Sequence, residues 1–92
     1  MKPINWNPEK NRKLIEERGV SFEEVIFCLQ SGKLLDDVLH PNIEKYPNQR
    51  VFVVAMNDYA YLIPYVETDS EIFLKTIVPS RKATKHYLGD KP

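Results

Sequence analysis

The side chains best suited to chemistry in this 92-residue chain cluster in its last fifth. From Lys75 to Tyr87 come four cations, Lys75, Arg81, Lys82 and Lys85, together with His86, and no carboxylate interrupts them. Guanidinium and ammonium groups gathered in one place suit a phosphodiester, the first as a planar fork and the second as a point charge. In metal-free RNA cleavage the 2′-hydroxyl attacks the neighbouring phosphorus, so a site must stabilise added negative charge and move two protons. On that reading Lys75 and Arg81 supply the charge. Either His86 or Tyr87 beside it supplies the acid or base, since an imidazole titrates near neutrality. Arg50 opens a valine-rich run, and in an antiparallel sheet it would meet Lys75 and Arg81 at one groove, with Lys82 and Lys85 extending the RNA-binding surface. The plainer alternatives are a surface histidine at 86 and a solvated sheet face at Lys75, its stem snorkelling along apolar neighbours.

The remaining reactive residues point elsewhere. Cys28, the sole cysteine, follows Val25 by three on a helical face and reads as packing rather than as a nucleophile. Asp36 and Asp37 have no histidine or further acid at ligand spacing, and His40 lies far from His86, so no metal and no other cofactor is expected. The three glycines are scattered, which excludes a phosphate-cradling loop. Tyr59, Tyr61 and Tyr65 share one strand face, as core or as a protein interface before a base-stacking platform. Trp6 reads as a packing anchor.

The elements that must hold these residues have clear punctuation. Asn7, Pro8 and Glu9 form a helix start, and Gly19 is its stop. Ser21 and Glu24 make a capping box, with Val20 and Val25 at the staple positions, so a second helix runs to about Gly32. Lys33 to Leu39 reads as an edge strand, and His40 to Asn48 as a breaker-rich loop. Arg50–Met56, Tyr59–Val66 and Glu71–Val78 read as a three-stranded antiparallel meander joined by tight turns. Pro64 cannot donate to a ladder, so its strand is an edge there or carries a bulge. In the third strand, period-two alternation groups Lys75 with Phe73 and Ile77. Ser80 to Leu88 reads as a short C-terminal helix ended by Gly89. The expected class is α+β: two N-terminal helices, an antiparallel sheet of three to four strands and the final helix, in one domain spanning residues 1–92.

Composition bounds the function. With 42% hydrophobic and 28% charged residues the chain is of ordinary globular type, and no run approaches the ~20 apolar residues of a membrane span. A lone cysteine and no signal-like start point to the cytoplasm. Thirteen basic residues balance thirteen acidic ones. The balance speaks against indiscriminate polyanion binding, but its distribution, acids on the first two helices and cations near the end, leaves room for a local phosphate site.

Four blocks, Trp6-Asn-Pro-Glu-Lys-Asn11, Arg18-Gly-Val-Ser-Phe-Glu-Glu-Val25, Arg50-Val-Phe-Val-Val54 and Lys75-Thr-Ile-Val-Pro-Ser-Arg-Lys-Ala-Thr84, together resemble the BrnT-type toxins. The resemblance covers most of the chain. It implies a RelE/ParE-like fold and the toxin of a type II toxin-antitoxin pair, a ribonuclease that arrests growth. Its partners would be RNA and a small cognate antitoxin that also binds operator DNA. Lys75 stands where the family's final strand has a basic residue, Arg81 at the arginine of the Ser/Ala-Arg-Lys-Ala motif, and Arg50 at the basic residue opening the valine-rich strand. Arg18 replaces the histidine that many relatives carry before Gly-Val, the loop from His40 to Asn48 is extra, and the chain is neutral where such toxins tend to be basic. The alternative to a ribonuclease is a non-catalytic module that keeps the fold and binds the antitoxin through the face of Tyr59, Tyr61 and Tyr65.

Overall fold

Local caps start the helices as the sequence prescribes. The Asn7 side chain accepts from the amides of Glu9 and Lys10, Pro8 fills the first helical position, and Gly19 closes helix α1 (Pro8–Arg18) at φ 67°. Ser21 and Glu24 form both halves of the capping box that opens α2 (Phe22–Gln30). Asn11, facing inward, ties the two together: its Oδ1 accepts from the Phe22 amide at 2.8 Å and its Nδ2 donates to Glu23 at 2.7 Å. That is how a polar side chain only 8% exposed is accommodated among apolar neighbours.

The computed structural model describes Lys2 to Gly89 and is of α+β class, with three helices and a six-stranded mixed sheet. Strands β1 (Ile4–Trp6), β2 (Leu34–Leu39), β3 (Gln49–Met56), β4 (Tyr59–Glu67) and β5 (Ile72–Leu74) lie in the order β1-β5-β4-β3-β2, and β6 (Val78–Pro79) pairs with β4 beyond β5. This corrects the expected antiparallel sheet of three to four strands. A strand precedes both early helices and runs parallel to β5, matching Ile4 to Ile72 and Trp6 to Leu74. Three residues paired across the chain leave no local periodicity to read.

The expected strand Glu71–Val78 is also two strands. Leu74 faces Tyr65 and Val78 faces Leu62, so four steps on one side match three on the other. The extra residue lies opposite Pro64. In an antiparallel pair a residue's N–H and C=O point to the same neighbour, and the Pro64 carbonyl accepts from the Lys75 amide, so the donor that proline lacks is missing on this side. The discordant proline therefore sits inside a central strand, against a bulge. The Ile77 carbonyl in the bulge accepts from the Arg18 guanidinium, which locks α1 to the sheet. The bulge also overturns the grouping of Lys75 with Ile77: Ile77 is fully buried with Ile72 and Leu74, whereas Lys75 is exposed.

Between β3 and β4, Asn57 and Asp58 both take positive φ, 54° and 61°, the two-residue turn whose twist suits a hairpin. The main core lies between one face of this hairpin and the first two helices. It holds Leu14, Val20, Phe22 and Val25 from the helical side, and Phe52, Val54, Ile63, Tyr65, Leu74 and Ile77 from the sheet. Trp6 stacks on Phe22 at 5.7 Å and so anchors β1 against it. The other face of the hairpin, with Val51, Val53 and Ala60 also buried, is covered by α3 (Arg81–Leu88). Among the described residues no helix is long and apolar enough to cross a membrane.

Candidate functional site

Helix α3 is built onto β4 through a single residue. The Ser80 amide donates to the Ala60 carbonyl at 3.0 Å, and the Ala60 amide donates to Thr84 Oγ1 at 2.9 Å. Ser80 also caps the helix, its Oγ accepting from the Ala83 amide, while the Thr84 hydroxyl donates back to the Ser80 carbonyl at 2.7 Å. One turn of helix thus grips both backbone groups of Ala60, whose small side chain lets the backbones approach.

The helix lies beside an open groove of about 240 Å³. Val38, Val53 and Leu62 make an apolar floor, and Ser80, Lys82, Ala83, His86 and Tyr87 form the wall. Lys82 and His86 are one turn apart at the groove, and Arg81 and Lys85 follow the next stripe around the helix. All four are exposed. Tyr87 crosses to strand β2, its hydroxyl donating to Asp36 Oδ2 at 2.6 Å. The His86 ring meets the Tyr87 ring edge-on, at 4.6 Å and 89°. The hydrogen bond from Tyr87, with a second from the Asp37 amide, holds the Asp36 carboxyl below its usual range. The same bond, followed by partial desolvation, pushes the Tyr87 phenol up. Tyr87 is therefore a protonated donor at neutral pH, and its proton is engaged with Asp36.

Of the cations expected to converge, Arg50 stands apart. Arg50 lies on the opposite face of the sheet, next to Phe52 and Tyr65. Its Nε donates to Asp37 Oδ1 at 3.1 Å and another guanidinium nitrogen to the Asp37 carbonyl at 3.0 Å, and the buried Tyr65 hydroxyl donates to the same Asp37 oxygen at 2.7 Å. Those contacts, Tyr65 first and then Asp37, raise the guanidinium pKa further. Arg50 is thus an ion-paired strand residue. Pro79, two residues before Arg81, faces Tyr61, four residues along β4 from the Arg50 partner Tyr65, a separation of roughly 13 Å. Lys75 sits at the bulge with Nζ 5.5 Å from the Phe73 ring centroid, a cation lying over an aromatic face. What the fold does assemble is Arg81, Lys82, Lys85, His86 and Tyr87, all on one helix.

The other early candidates resolve into packing. Tyr65 is 2% exposed and stacks on Phe52 at 3.9 Å, and Tyr61 packs against the core, so the tyrosine stripe is not a free face for a partner. Cys28 is half-buried, and burial, helped by Glu24, pushes its thiol up, away from nucleophilic character. The residue that sequence reasoning passed over is Asp36, set aside as a metal ligand. Two acids in succession on a strand must face opposite sides of the sheet, and that signal was present. Comparison with protein-family models, curated proteins and solved structures finds no match for this chain.

Proposed function

We propose that this chain is the toxin of a type II toxin-antitoxin pair, a metal-independent endoribonuclease of RelE/ParE-like architecture. The observation that supports it is the α3 surface: three cations and a histidine, all exposed, beside an open groove of about 240 Å³ floored by apolar side chains. Arg81, Lys82 and Lys85 neutralise the RNA backbone, with Lys75 contributing from the bulge. His86 exchanges the proton at the attacking or leaving oxygen, and Tyr87, its hydroxyl engaged with Asp36, orients that ring rather than acting as a base. Arg50 leaves the RNA-binding set, because both its contacts are used internally. A small antitoxin that also binds operator DNA completes the pair, and the cytoplasm is where RNA and antitoxin meet. The test is purified protein incubated with RNA in the presence of a chelator. Cleavage leaving 2′,3′-cyclic phosphate ends, and lost on Arg81→Ala or His86→Ala with folding intact, supports the reading; no cleavage by the unaltered protein at any concentration sinks it.

A non-catalytic interaction module is the second reading, and Phe27 favours it. This side chain is 70% exposed on α2 beside an apolar recess shared with Cys28 and Met56. Tight binding to a neighbouring small protein without any RNA cleavage is its signature.

A further inference from the structure

Strand β2 carries a one-residue irregularity. Leu34 faces Val54 and Asp36 faces Val53, so two steps on β2 match one on β3. Without that bulge Asp36 would oppose Phe52 and point to the main core. With it, Asp36 opposes Val53, on the face covered by α3, and Asp37 opposes Phe52, where Arg50 and Tyr65 meet it. A bulge that re-aims a side chain is a common device beside active sites. The carboxylate is also fixed: Oδ1 accepts from the Asp37 amide at 2.8 Å and Oδ2 from Tyr87.

We propose that Asp36 is the positioning residue of the α3 site: it accepts the Tyr87 hydroxyl and thereby sets where the His86 ring stands over the groove. The catalytic consequence rests on the ribonuclease reading, whereas the geometric one does not. Helix α3 has eight residues and none is fully buried, too little to hold itself. Its first turn is gripped at Ala60. Among the described residues the Tyr87–Asp36 bond is the one side-chain hydrogen bond from the last turn to the sheet, and it spans 51 positions of sequence. A hydroxyl donating to an ionised carboxylate belongs to the stronger class of hydrogen bond. The order of contact is Asp36, Tyr87, His86, so a slack first link displaces the last.

The experiment pairs NMR of the His86 ring with cleavage kinetics, on the full chain and the variants Asp36→Ala, Asp36→Asn, Tyr87→Phe and the double variant Asp36→Ala with Tyr87→Phe. The His40 ring, packed on Tyr46 outside this site, is the internal reference. Asp36→Ala and Tyr87→Phe are each expected to move the His86 ring signals and leave those of His40. The double variant should match either single one, because both remove the same bond. Asp36→Asn keeps an acceptor in place and should lie close to the parent. In cleavage, Asp36→Ala should lower kcat by roughly 10- to 100-fold with KM little changed, the size of effect that a misplaced catalytic group produces. Unmoved His86 signals in Asp36→Ala, additive effects in the double variant, or an unchanged kcat despite moved signals would each overturn the proposal. If the unaltered chain cleaves no RNA, the ribonuclease reading falls, and the ring signals alone decide whether Asp36 positions His86.

Discussion

The two faces of the central hairpin are built to different standards. Toward α1 and α2 the sheet carries the main core: Phe22, Val25, Val54 and Ile63 are fully buried, and the polar atoms of Asn11 and Tyr65 all find partners. Toward α3 the same strands meet a short helix with no fully buried residue, three exposed cations and an open groove. One face carries most of the core, while the other, over a smaller buried patch of Val51, Val53 and Ala60, keeps a row of charged side chains at the surface. Adjacent residues show the division most sharply. Asp37 is tied down by Arg50 and Tyr65 within the scaffold, whereas Asp36 reaches out to the helix that carries the candidate chemistry.

Truncation on the core face is expected to be the most damaging change. Phe22→Ala removes a wholly buried ring that stacks on Trp6 and should cost ~3–5 kcal/mol by denaturant unfolding, whereas Leu62→Ala at the groove floor, half-buried, should cost less than half as much. An equal loss at both positions would erase the distinction between the faces. Next in size is Asn11→Ala, which orphans the Phe22 amide and frees Glu23; about 1–3 kcal/mol is expected, with α1 amides exchanging faster with solvent.

Alkaline titration sharpens the same comparison. Burial, and then the bond to Asp37, push the Tyr65 phenol up to about 12. A group whose pKa is raised on folding contributes stability that is whole below its ordinary value of ~10 and is lost as pH climbs through the folded value. The parent should therefore weaken between about pH 10 and 12, and Tyr65→Phe should flatten that part of the curve, as followed by thermal unfolding against pH. Asp36 works in the opposite direction. Its carboxyl is lowered on folding, so its contribution holds above the ordinary carboxylate value and fades as acid takes the pH through the lower folded one. The smallest effect is on the open face. Lys82→Ala and Lys85→Ala should leave unfolding unchanged and each reduce the salt dependence of RNA binding by ~0.7 in the log-log slope, measured by fluorescence anisotropy. An unaltered slope would remove α3 from the RNA-binding surface.

Sequence reading succeeds where the determinants are local. Asn7, Ser21 with Glu24, and Ser80 accept from amides within three residues, and Gly19 donates to the carbonyl four residues back, so their helices are announced by their own caps. The Asn57-Asp58 turn and the run of cations on α3 are legible for the same reason. Features that depend on counting across strands are not. β1 is defined by a partner 68 positions away, and each bulge inverts the face of every residue beyond it. The bulge opposite Pro64 separates Ile77 from Lys75, and the one before Asp36 exchanges the duties of two adjacent acids. Arg50 shows the same limit: its place at the strand's start is right, but alternation puts it on the face with Tyr65, away from α3.

The parallel pair of β1 and β5 also has a kinetic consequence. The β3–β4 hairpin closes through two residues, but Ile4 must find Ile72 across almost the whole chain, and loop closure of that length is slow to gain contacts. Pulse-labelled hydrogen exchange during refolding should therefore show the Ile4–Trp6 amides protected after those of β3 and β4.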